Sequence, residues 1–230
     1  MKKLYPFLCL ALAVTTASLV SFARPIRGAS AASSEEFPAN DLPYDAEVEY
    51  IEQNGSDSTG YPNLDTGFPM ADIRHLYLVC DWSNHSTVSR EFIGGGVSGS
   101  YLIEVGVDGY YGLGINNYSP FHVSGIDELD WFYTPGARPQ LFVNGFLGCT
   151  DTLVRVPTGT LQTYLRKINA PHIKLYRLTI YTDGGEIGQD LIPVRFTNED
   201  GLDEGAMYDR VSKTLFRNSG TGPFVIGPDL

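Results

Sequence analysis

From about Ala46 to the end of the chain, apolar and polar residues alternate in short runs, and each run stops at a turn-forming cluster. Leu76, Leu78, Cys80 and Trp82 alternate with His75, Tyr77, Val79 and Asp81. Tyr101, Ile103, Val105 and Val107 repeat the period of two and end at Asp108-Gly109. Successive side chains of a strand point to opposite faces, so this period predicts strands with one face buried. Gln140 to Val143 runs into Asn144-Gly145, a pair suited to a tight hairpin because both turn residues take positive φ. Tyr176, Leu178 and Ile180 alternate with Arg177, Thr179 and Tyr181 up to Asp183-Gly184-Gly185. One stretch reads differently: Leu161, Tyr164 and Leu165 fall at i, i+3 and i+4, which predicts a short helix over 160–167. Many short strands at turn-limited spacing predict an all-β, antiparallel two-sheet sandwich or barrel.

Composition narrows this. The 230 residues include 14 Tyr, 12 Phe, 25 Gly and 14 Pro, with 43% hydrophobic and 19% charged side chains. That is too apolar for disorder and too rich in chain-breakers for a helical bundle. The net charge of −11 argues against a nucleic-acid partner and an anionic membrane surface, which both need a basic face. Lys2 and Lys3 precede the apolar run Leu4 to Val20, and small-residue sites follow at Ser21-Phe22-Ala23 and Ala29-Ser30-Ala31. This order predicts a signal peptide over residues 1–31, a flexible linker over 32–45 and one domain over 46–230. Loss of the signal removes four cations and no acid, taking the charge from −11 to −15. No later segment is apolar enough to span a bilayer. The expected location is secreted, periplasmic or at the cell surface. Cys80 and Cys149 then remain, and in an oxidising compartment they form either one disulfide or two buried thiols.

The ends of the domain carry a resemblance. Glu49-Tyr50-Ile51-Glu52, Gly60-Tyr61 and Leu64-Asp65-Thr66-Gly67 resemble the opening blocks of bacterial and phage proteins of the concanavalin A-like lectin/glucanase superfamily, related to laminin G-like modules. Leu175 to Tyr181, Asp190-Leu191-Ile192-Pro193-Val194-Arg195, Tyr208-Asp209-Arg210-Val211-Ser212 and Gly220-Thr221-Gly222 resemble the closing blocks. The resemblance implies a jelly-roll sandwich whose first and last strands lie side by side, and it implies carbohydrate or cell-surface protein as partner. Asp190 and Asp209 are placed to accept backbone N–H bonds at strand ends, and Pro193 suits an edge or bulge.

Candidate chemistry is sparse. Glu47-x-Glu49-x-x-Glu52 resembles the paired-carboxylate strand of glucanases on this fold, but it stands on the first strand, where solvent-facing acids are expected. Gly94-x-Gly96-x-x-Gly99 precedes a strand, not a helix, so no dinucleotide cofactor is expected. Sugar recognition needs aromatic platforms beside amides or carboxylates. Tyr110, Tyr111, Asn116, Asn117, Tyr118, His122 and Trp131 supply those types. The acidic stretch 198–205 offers Asp200, Asp203 and Glu204 as oxygen donors for Ca²⁺. The resulting expectation is a non-catalytic binding or adhesion module that recognises glycans. Its rivals are a glycoside hydrolase or lyase and a structural, protein-binding component of a surface assembly.

Overall fold

Seventeen strands realise the alternation among the described residues. The computed structural model describes residues 42–53, 62–84, 90–95, 101–105, 109–113, 118–122, 125–152, 157–163 and 172–230, excepting the side chains at 83, 84, 90, 91, 101, 118, 122 and 172. In chain order the strands begin with β1 (Ala46–Glu47), β2 (Ile51–Gln53), β3 (Leu64–Pro69), β4 (His75–Asn84), β5 (Arg90–Gly94) and β6 (Tyr101–Val105). Next come β7 (Tyr110–Gly112), β8 (Tyr118–His122), β9 (Ile126–Phe132), β10 (Gln140–Val143), β11 (Phe146–Thr150) and β12 (Thr160–Thr163). The last are β13 (His172–Tyr181), β14 (Ile187–Thr197), β15 (Asp203–Asp209), β16 (Thr214–Phe216) and β17 (Val225–Ile226).

They form two antiparallel sheets. The smaller runs β3-β12-β5-β6-β7-β8, and the larger runs β11-β10-β9-β4-β13-β14-β15-β16. β1 joins the larger sheet on β14, while β2 pairs with both β13 and β17. The first and last described strands therefore lie side by side, and Val48 bridges Asp229. Leu76, Leu78 and Trp82 of β4, Leu129 of β9 and Leu178 of β13 face Phe92, Ile103, Tyr111 and Leu161 of the other sheet, all with 0% exposure. Trp82 holds the sheets together by edge contacts, 5.1 Å to Phe92 and 6.5 Å to Tyr111. Truncating such a side chain to Ala costs about 3–5 kcal/mol, because the cavity collapses only partly. A second cluster lies on the opposite face of β14 and β15, where Ile192, Val194, Phe196 and Tyr208 pack with Tyr44 and Leu215. No helix among the described residues is long and apolar enough to cross a membrane.

The turns follow their chemistry. Asn144 and Gly145 take φ of 52° and 82° in the β10–β11 hairpin. Asp209 accepts the N–H groups of Asp190, Val211 and Ser212 at 2.8, 3.0 and 3.1 Å. Pro193 lies where β14 has left β13 at the Leu191–Leu178 pair and has only just met β1, so its missing N–H breaks no long ladder. Its carbonyl still accepts from Val48 at 3.1 Å.

One expectation is corrected, and one alternative that the sequence leaves open is decided. The helix predicted over 160–167 begins instead as β12, since Leu161 and Thr163 are both fully buried and the strand pairs with β3 and β5 on its two sides. Residues 164–171 lie outside the described residues. The cysteines are two free, buried thiols. β9 and β10 stand between Cys80 on β4 and Cys149 on β11. Three strand spacings separate them by about 14 Å, against the ~7 Å that a disulfide can span. Contacts with the larger sheet also reach back before residue 46. Tyr44 packs on Tyr208 at 4.9 Å, and Asp45 accepts the Thr197 N–H at 2.6 Å.

Candidate functional site

The alternation that buries Leu76, Leu78, Cys80 and Trp82 turns His75, Tyr77, Val79 and Asp81 to the outer face of the larger sheet. Register then decides their neighbours. His75 stands opposite Phe132 of β9 and Tyr181 of β13, while Tyr77 stands opposite Asp130 and Thr179. Directly opposite side chains are close enough to interact across strands. The His75 ring stacks between Phe132, at 4.2 Å and 11°, and Tyr181, at 4.7 Å and 9°. Phe142 of β10 meets Phe132 edge-on at 5.5 Å. His75 Nε2 lies 2.7 Å from Asp130 Oδ1, so the nitrogen facing the carboxylate is the donor. Phe132 keeps 39% of its surface exposed.

Beside this stack lies an ionic knot. Asp190 receives Arg177 Nε at 3.1 Å, Arg210 Nε at 3.0 Å and Thr179 Oγ1 at 3.1 Å. Burial pushes the Asp190 carboxyl upward, but the two guanidiniums outweigh it and hold the group below its ordinary value. The Arg177 and Arg210 side chains remain 42% and 45% exposed, so each presents its outer edge to solvent. Farther along the same face, Tyr50 meets Tyr176 at 5.6 Å and Lys174 Nζ lies 4.4 Å from the Tyr50 ring. The Tyr176 hydroxyl is pushed up to about 12 by burial, reinforced by Asp81 and Glu49.

The residues singled out from sequence scatter. Tyr111 and Trp131 are buried between the sheets at 0% and 1% exposure and are excluded from a surface platform. Tyr111 was misread because its phenol has a buried partner: its hydroxyl donates to Asp127 at 2.8 Å, and Asn144 donates to the same carboxylate at 2.8 Å. Tyr110 is half-buried on β7, paired with His122 of β8. Asn116 and Asn117 lie outside the described residues, as do the side chains of Tyr118 and His122.

No protein-family model, curated protein or solved structure matches the chain.

The acidic loop is held together by its own bonds. Asn198 Oδ1 accepts the Asp200 and Leu202 N–H groups at 2.9 Å, and Asn198 Nδ2 donates to Glu204 at 2.6 Å. Asp203 accepts from Thr197 Oγ1 at 3.2 Å and Arg195 at 3.4 Å, and Asp200 is exposed. Among the described residues, no group of three His, Cys, Asp or Glu is placed to hold a metal ion. Glu47 and Glu49 are both exposed at the margin of the larger sheet, and Glu47 accepts from the Tyr44 hydroxyl at 3.2 Å. The outer face can bind and orient a ligand. Sequence reasoning missed it because His75, Phe132 and Tyr181 come together only through strand register; the odd positions of β4 were the available signal.

Proposed function

We infer that the protein is a non-catalytic binding or adhesion module that acts outside the cytoplasm and takes glycans as ligands. On this reading the two-sheet body is a concanavalin A-like jelly roll, and the outer face of its larger sheet is the recognition surface. One observation carries the reading: the Phe132–His75–Tyr181 ring stack stands on an accessible sheet face beside Asp130 and the Arg177–Asp190–Arg210 knot. Sugar rings offer apolar C–H faces rimmed by hydroxyls, and aromatic carbon beside fixed polar groups complements them. Recognition is shallow and involves no covalent step. The test is a glycan array with the full chain, run once with calcium and once with chelator. Binding to a defined set of saccharides supports the reading, loss in chelator adds a calcium requirement, and no binding under either condition overturns it.

A second reading, a protein partner in a surface assembly, draws on the β11 edge. Phe146 and Leu147 are 66% and 49% exposed there. Within 131–150 the only charged residue is Arg138. Such uncharged apolar surface suits a protein interface. A blank array together with loss of surface attachment in Phe146→Asp would favour this reading.

A further inference from the structure

Three groups of ion pairs differ in their balance of charge. Arg74 meets one carboxylate, Asp183, at 2.7 Å. Arg195 meets two, Asp203 at 3.4 Å and Asp229 at 2.9 Å. At Asp190 the ratio is reversed, because two guanidiniums share one carboxylate. Arg177 binds it through Nε at 3.1 Å and Nη2 at 3.0 Å, and Arg210 through Nε at 3.0 Å and through Nη2. Nη1 of both arginines makes no hydrogen bond among the described residues. A guanidinium holds its N–H donors in a rigid planar fork. Each arginine therefore spends its side edge on Asp190 and keeps its end edge, and both side chains are nearly half exposed. The shared carboxylate is itself fixed. It accepts from Thr179 Oγ1 at 3.1 Å, and the Asp190 N–H donates to the buried Asp209 at 2.8 Å. Donors held in place in this way bind a ligand at a lower cost in entropy than free side chains do.

Two cations against one acid leave a single net positive charge, on a chain whose net charge is −11. One carboxylate balances that charge and matches the planar fork. A phosphate monoester, at about −1.5 to −2, exceeds it, and the acidity of the whole chain repels a polyanion. Register sets the neighbours of the pair. Thr179 stands opposite Asp190 on β14 and Tyr77 on β4, and Tyr77 stands opposite Asp130 on β9. Tyr181, an outer ring of the stack, lies two positions from Thr179 on the same face of β13, about 7 Å away. Charge across this face is divided: Glu128 and Asp130 stand on β9, and the two arginines stand on the far side of β4. A ligand lying across it turns its anionic group to the arginines and its hydroxyls to the acids. We propose that the outer face takes an acidic saccharide, whose uronate carboxylate binds the end edges of Arg177 and Arg210 while its ring lies against Tyr181. This rests on the outer face being the recognition surface, and it names the class of sugar.

The test follows the arginine Nε–H resonances of the full chain by ¹⁵N correlation spectroscopy. The probes are trisaccharides of galacturonate, glucuronate and mannuronate, their methyl esters, and acetate and inorganic phosphate. The Arg177 and Arg210 signals should move with at least one uronate, while that of Arg195 stays. Esterifying the probe should weaken binding about tenfold or more, since it removes a charged hydrogen-bond acceptor. Arg177→Gln should weaken it by a similar factor, and Asp190 keeps Arg210 and Thr179 as partners in that variant. The ester comparison uses the unaltered chain, so it stands even if the variant fails to fold. Arginine signals that respond to no uronate, or esters bound as tightly as acids, overturn the proposal. Acetate or phosphate moving the signals at the same concentrations as the uronates overturns it too, because the site would then take a free anion. On the glycan array, binding confined to neutral saccharides overturns the acidic-sugar proposal and leaves the outer-face reading standing. A blank array overturns both.

Discussion

Replacing Asp209 with Ala tests how the closing half of the domain is built. The residue has 0% exposure, and its carboxylate accepts from Asp190 N at 2.8 Å, Val211 N at 3.0 Å, Ser212 N at 3.1 Å and Ser212 Oγ at 2.6 Å. The Asp190 N–H is buried and would lose its acceptor outright, at about 2 kcal/mol. The N–H groups of Val211 and Ser212 are partly buried, so water recovers part of their loss, leaving about 1 kcal/mol each. The total is roughly 3–5 kcal/mol, a large fraction of the ~5–15 kcal/mol that typically holds a domain folded. Asp209→Asn keeps one acceptor oxygen but turns an NH₂ towards a donor, so it should cost about 1–2 kcal/mol. Urea unfolding read by far-ultraviolet circular dichroism measures both, with an unchanged m-value showing that only stability has moved. A loss below about 1 kcal/mol in the Ala variant, or equal losses in the two variants, would refute the assigned bonding.

Other outcomes follow from the same structure. Cys80 and Cys149 should resist a thiol reagent in the native protein and react once it is unfolded, since burial pushes the Cys80 thiol up and raises that of Cys149 to about 12. A disulfide seen by mass spectrometry would contradict this. Asp190 is depressed when folded, so its stabilisation is fully present above the unfolded carboxylate value and is lost as pH falls through the folded one. Tm should therefore drop on acidification below about pH 4, and Arg210→Gln should flatten that drop; an unchanged acid profile would discount the knot. Gly159 has φ of +85°, and a Cβ there would lie 2.3 Å from the Gly95 carbonyl oxygen. Gly159→Ala should cost at least ~2 kcal/mol by thermal unfolding, and a neutral result would mean the two loops are not in contact.

Much of the fold was legible because strand period and turn chemistry are local. The alternation of β4 and the Asn144-Gly145 turn needed only neighbouring residues to be read. Thr160–Thr163 was ambiguous because Leu161 fits both a helical and a strand spacing, and pairing with β3 and β5 decided it. The site was much less legible. Tyr111 looked like a surface ligand, but its hydroxyl donates a hydrogen bond to Asp127 on the facing sheet. His75 read only as one polar position of an alternating strand, and register set it between Phe132 and Tyr181, which lie 57 and 106 positions further along the chain. Asp209, by contrast, was readable as a turn acceptor because its partners Val211 and Ser212 adjoin it.

The most direct measurement compares saccharide affinity for the full chain with that of Phe132→Ala/Tyr181→Ala and of Phe146→Ala, using the best ligand from the array. The outer-face account predicts at least a tenfold loss for the double variant, about 1.4 kcal/mol, with Phe146→Ala unchanged. Full affinity in the double variant, or a loss confined to Phe146→Ala, would contradict it.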